Sequence, residues 1–99
     1  MALFTVRVEL HDAQWADYQS LHAAMERQGF SREVMSDQGN RYHMPWAEYN
    51  GSGQLTSMQV LDFAQAAANS TGKKNAVFVT ELFAMTTFVG LPVATMPRL

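Results

Sequence analysis

The chain contains no cysteine. Disulfides, thiolate catalysis and zinc sites built on Cys are therefore excluded, and the composition fits a reducing compartment. Charge is also sparse, at 16% of residues, and cations are not in excess: the net charge is −2 and the pI near 5.8. Coating RNA or DNA without specificity needs clustered cations to neutralise phosphates, and this balance argues against it. No apolar run approaches the ~18–20 residues that span a bilayer. The first residues, Met1-Ala2-Leu3-Phe4, show neither a basic region nor a long apolar stretch. A cytoplasmic protein with no membrane partner is the expectation. No internal repeat or low-complexity segment occurs.

What is present is apolar. The hydrophobic fraction is 47% over 99 residues, which suits one domain able to bury roughly 60–65% of its unfolded surface. The reading is a single domain, with a core over 3–82 and a C-terminal extension over 83–99. So few surface charges suggest that some surface is covered by a partner.

Residues 3–10 alternate, with Phe4, Val6, Val8 and Leu10 on one face and Thr5, Arg7 and Glu9 on the other. Period two with β-branched residues predicts a half-buried strand. Asp12 has the chemistry to cap a helix. The helix itself carries Trp15, Tyr18, Leu21, His22 and Met25 at spacings of three and four, and Gly29 closes it with Phe30 packing back on its last turn. A short strand at 32–35 and a tight turn at Asp37-Gln38-Gly39-Asn40 follow. The return strand runs from Arg41 through Met44 to Tyr49 and is broken, bulged or at an edge near Pro45, which cannot donate to a ladder. Asn50-Gly51-Ser52-Gly53 reads as a flexible loop. Thr56 and Gln59 form a capping box for a second helix whose Val60, Phe63, Ala64 and Ala67 share a face, with a staple between Leu55 and Val60. Lys73-Lys74 leads into a strand over 76–82 that is apolar on both faces. A further strand is a candidate at 85–89. Strand, helix, hairpin, helix, strand is the β-α-β-β-α-β order of an α+β, ferredoxin-like two-layer sandwich, with two helices on one face of an antiparallel sheet.

Candidate chemistry is dispersed. Arg7 and Glu9 lie on the sheet face away from the helices, and Arg32, Arg41, Tyr42 and His43 belong to hairpin strands expected in the same sheet. Such a cluster could grip phosphate and supply acid–base chemistry near neutral pH; the plainer alternative is a solvated face with Arg–Glu pairs worth little. Asp12 could hold a divalent cation, but a helix cap is the simpler role. His11 reads as a surface residue and His22 as a boundary histidine. Positions 11, 22 and 43 follow no metal-ligand spacing, so no metal site and no cofactor are expected, with a divalent-cation requirement left open. No phosphate-cradling glycine pattern, nucleophile elbow or aromatic strand signature of an RNA recognition motif occurs. Phe78, Leu82, Phe83, Met85 and Phe88 make the end of the chain apolar. Surfaces of that kind mark interfaces, which points to a homodimer or a protein partner unless the tail folds back over its own sheet.

Thr5-Val6-Arg7-Val8-Glu9-Leu10, Asp17-Tyr18, Leu21-His22-Ala23-Ala24-Met25-Glu26, Gly29-Phe30-Ser31 and Val79-Thr80-Glu81 resemble the GhoS family, the antitoxins of type V toxin–antitoxin systems. The resemblance covers most of 3–82. It implies a Cas2-like ferredoxin fold and an endoribonuclease acting on single-stranded messenger RNA. It supplies no catalytic motif residue by residue. Within that expectation Arg7, Arg32, Arg41 and Tyr42 hold RNA, and His43 with Glu9 does the acid–base work. The competing expectation is a non-catalytic homodimeric module, of a bacterium or a mobile element, that binds a partner through its apolar last strand and tail.

Overall fold

The computed structural model describes residues 1–83 and 87–94. Seven elements follow one another: β1 (Ala2–Leu10), α1 (Trp15–Arg27), β2 (Glu33–Met35), β3 (Arg41–His43), β4 (Glu48–Gly53), α2 (Ser57–Asn69) and β5 (Asn75–Leu82). The chain is thus α+β, with two helices and antiparallel strand pairing. β1 is central in a three-stranded sheet of order β4-β1-β5, and β2 and β3 form a second, two-stranded sheet. Mutual backbone hydrogen bonds between Ser31 and Asn50, at 2.8 and 2.7 Å, tie the start of the hairpin to β4.

The alternation in β1 decides which way the sheet faces. Phe4, Val6, Val8 and Leu10 are buried in one cluster with Leu21, Ala24 and Met25 of α1 and with Val60, Ala64, Ala67 and Ala68 of α2. Both helices therefore cover the even-numbered face of β1. Each large apolar side chain so buried stabilises the fold by about 1.5–3 kcal/mol. The alanines of α2 leave little bulk between that helix and the sheet. The odd-numbered residues of β1 are left on the open face.

Five expectations change on contact with the structure. Asp12 does not cap α1: its φ is +53°, in the left-handed region that short polar side chains tolerate, and it makes the turn instead. Gln14 is the N-cap, and its backbone N–H is accepted by Asp17 Oδ2 at 2.8 Å. Asn50-Gly51-Ser52-Gly53 is not a flexible loop but the second half of β4. A Cβ at Gly51 would lie 2.8 Å from the Phe30 ring, so this glycine serves close packing rather than mobility. The break at Pro45 is wider than a bulge: β3 and β4 join different sheets, and Ala47 at φ +61° turns the chain between them. Phe63, expected on the buried face of α2, is exposed; the buried stripe is Val60, Ala64, Ala67 and Ala68. Of the candidate strand at 85–89, positions 85 and 86 lie outside the described residues and 87–89 carry no strand. The closing glycine of α1 and the capping box of α2 hold. Gly29 has φ +92° and Phe30 is buried. Thr56 accepts from the Gln59 N–H at 3.1 Å, while the Gln59 side chain accepts from the Thr56 N–H at 2.8 Å.

Candidate functional site

The open face of the three-stranded sheet is built by register. Counting from β1, the cross-strand partners are Thr5 with Thr80, Arg7 with Phe78, and Glu9 with Ala76 on the β5 side, and Arg7 with Glu48 and Thr5 with Asn50 on the β4 side. Arg7 thus stands between a carboxylate and an aromatic ring. Its Nη2 donates to Glu48 Oε2 at 3.0 Å, and Phe78 is 68% exposed beside it. At the end of β1, Glu9 Oε1 and His11 Nε2 are 3.2 Å apart, and both side chains are exposed. An imidazole oriented by a carboxylate at the surface is an arrangement able to act as a general base.

The other expected site residues lie elsewhere. Arg41, on β3, donates to Glu33 Oε1 at 3.4 Å. Tyr42 packs its ring edge-on against Phe88, with centroids 5.2 Å apart. His43 is only 8% exposed, its backbone N–H bonded to the Pro92 carbonyl at 2.8 Å, and it lines a small recess with Arg32, Met44, Pro45, Trp46 and Ala47. Arg32 is half-buried before β2. The strand order expected from the sequence puts Arg7, Glu9, Arg41, Tyr42 and His43 in one sheet. The structure distributes them over two, Arg7 and Glu9 on the larger and Arg41, Tyr42 and His43 on the smaller. The histidine beside Glu9 is His11, which its place after the first strand marks only as a surface residue. Of the apolar set, Phe78 and Phe83 are exposed, the latter by 89%, Leu82 and Phe88 are half-buried, and Met85 lies outside the described residues.

Two interior contacts were not legible in the sequence. His22 Nδ1 and Tyr49 Oη lie 2.7 Å apart, a buried bond that joins α1 to β4. Burial pushes the Tyr49 phenol well above its ordinary pKa, only partly opposed by the positive charge of Arg32. The phenol is therefore neutral and available as a donor. Trp15, exposed at the start of α1, stacks on Trp46 with centroids 5.1 Å apart, and His22 meets Trp46 perpendicularly at 4.7 Å. These rings hold the bend between β3 and β4 against α1. A spacing of 31 residues gives no periodic signal by which to find such a pair.

Among the described residues no group of three or more His, Asp and Glu side chains is placed to hold a metal ion, and no helix is long and apolar enough to cross a membrane. Compared with known protein families and with curated protein sequences, the chain matches none.

Proposed function

We propose that the chain is a small GhoS-like endoribonuclease antitoxin that works on single-stranded RNA across the open face of its sheet. The observation that carries this is the cross-strand pair Arg7–Phe78 on an uncovered antiparallel sheet, followed two residues along β1 by Glu9 and then His11. Single strands are gripped by exposed aromatic rings that stack on bases and by cations that meet the backbone. In this reading Phe78 stacks on a base, Arg7 meets a phosphate, and His11 is the general base oriented by Glu9. His11 takes the proton of a ribose 2′-hydroxyl as that oxygen attacks the adjacent phosphorus. The bond from phosphorus to the 5′-oxygen breaks and that oxygen takes a proton from water, leaving a 2′,3′-cyclic phosphate and a 5′-hydroxyl. His43, being buried, leaves this role to His11. The ferredoxin-like plan belongs to the same reading. With the Ser31–Asn50 bridge taken as the start of a further strand, the order β5-β1-β4-hairpin under two helices is the one that plan requires. The test is fluorescence anisotropy of a labelled single-stranded oligoribonucleotide. Phe78→Ala should weaken binding by about 1–3 kcal/mol, with a smaller loss for Arg7→Gln. Unchanged affinity in Phe78→Ala would remove the stacking platform.

A second reading, a homodimeric module that binds a partner protein, is favoured by β5 itself. Among the described residues it is an edge strand of the three-stranded sheet, eight residues long, with Phe78 exposed on it and Phe83 exposed just past its end. Such edges pair readily with another chain. This reading predicts a mass that doubles with concentration in analytical ultracentrifugation and RNA left intact by the purified dimer.

A further inference from the structure

The open face does not stop where the ladder ends. The backbone N–H of His11 donates to the Lys74 carbonyl at 2.8 Å, one step beyond the last paired residues, Leu10 and Asn75. His11 and Lys74 therefore continue the alternate series that carries Arg7 and Phe78, then Glu9 and Ala76. They open into a depression lined by His11, Gln65, Asn69, Lys73, Lys74 and Asn75. In a chain with nine acidic and seven basic residues this wall contains no carboxylate and carries both of the lysines. Its donors are pre-arranged. Asn75 Nδ2 donates to Asn69 Oδ1 at 2.9 Å and to the Lys73 carbonyl at 3.0 Å. The Asn69 carbonyl end is thereby occupied and its amide N–H groups remain as donors. Lys73 is steadied by Asp17 of α1, with Nζ and Oδ2 3.8 Å apart, whereas Lys74 makes no ion pair among the described residues. The carboxylates of Asp17 and Glu9 stand at the margin, engaged with Lys73 and His11 and outside the lining itself.

We propose that this depression holds one phosphate group of a single-stranded RNA, adjoining the nucleotide that faces Glu9 and His11. The identity of the ligand rests on the RNA reading above; the anion site rests on its own lining. Phosphate is the matching chemistry because a compact ammonium and amide donors line the same depression, each able to give a charge-assisted or neutral hydrogen bond to a phosphate oxygen, while the His11 imidazole at its edge stays with Glu9. The phosphate can be an internal phosphodiester or a 5′-terminal monophosphate, and the two are separable.

The experiment is a titration of the full-length, isotope-labelled chain with inorganic phosphate, against sodium chloride at matched ionic strength and pH, followed by amide NMR shifts. Saturable shifts at His11, Asn69 and residues 72–75 are expected, and Lys74→Gln should weaken them about three- to fivefold with an unchanged thermal midpoint. Non-saturating shifts, or equal shifts around Arg27, overturn the site, as does an unchanged affinity in Lys74→Gln. A second arm uses a non-cleavable 2′-deoxy-substituted oligonucleotide with and without a 5′-phosphate. Preference for the phosphorylated form assigns the terminal group; equal affinities, equally reduced by Lys74→Gln, assign an internal one. Inorganic phosphate bound at His11 and Lys74 with no oligonucleotide affinity overturns the RNA source alone. Oligonucleotide binding indifferent to Lys74→Gln overturns the phosphate site while leaving the RNA reading in place.

Discussion

Gly51 shows how a single residue can carry information that its sequence neighbours conceal. Flanked by Asn50, Ser52 and Gly53, it reads as part of a flexible stretch. Its actual partner is the ring of Phe30, 21 positions earlier, and a Cβ there would meet that ring at 2.8 Å. Gly51→Ala should therefore destabilise the fold by about 1–3 kcal/mol, measured by urea denaturation, and Phe30→Leu in the same chain should recover part of the loss. Additive losses would contradict the steric account. Tyr49 makes a second residue-scale argument. Its phenol is fully buried and raised above the ordinary tyrosine value by that burial. Below pH ~10 folded and unfolded chains both hold this proton, so stability is unaffected by it; above that the unfolded chain releases it first, and stability falls as pH rises. Tyr49→Phe should be less stable than the parent at pH 7, having lost the 2.7 Å bond to His22. Its stability should nevertheless fall less steeply between pH 10 and 12. Parallel slopes in the two proteins would show that Tyr49 is not shielded.

Elements were legible where their signals are local. The capping box of α2 is contained in four consecutive residues, Thr56 to Gln59, and the structure forms both of its hydrogen bonds. Alternation in β1 and the turn at 37–40 are equally local, and Gly39 takes its positive φ as the turn demands. The start of α1 was misread because Asp12 and Gln14 both stand ahead of the first apolar position, and residue type alone ranks Asp above Gln as a cap. The backbone settles the matter, since Asp12 has φ +53°. Asp12→Gly should then cost no stability, whereas Thr56→Ala should cost about 1 kcal/mol, both by thermal denaturation. A loss in Asp12→Gly as large as that in Thr56→Ala would restore Asp12 as a cap. Pro45 announced a break without its extent. The decision to send β3 and β4 into separate sheets rests on distant contacts: the Met44 N–H to the Arg32 carbonyl, the Val8 N–H to the Ala47 carbonyl, and the Trp15–Trp46 stack.

For the molecule as a whole, the side of β1 that the helices cover was readable from hydrophobic period, and so was the order of elements except that the single expected return strand is two, β3 and β4. The composition of the candidate site was not. Alternation placed Arg7 and Glu9 on the open face correctly, but grouping them with Arg41 and His43 required the two hairpin strands to extend the same sheet, and β3 does not. What the register supplies in their place is Phe78 opposite Arg7, and His11 beside Glu9. The most direct measurement of the central claim is cleavage of an end-labelled, mixed-sequence RNA by highly purified protein, with magnesium and with EDTA, alongside His11→Ala and His43→Ala. Cutting that persists in EDTA, leaves a 2′,3′-cyclic phosphate, spares a DNA of the same sequence and disappears in His11→Ala but not in a folded His43→Ala is the predicted result. RNA left whole under both conditions, or cut equally well by His11→Ala, would contradict the account and direct attention to the exposed edge of β5.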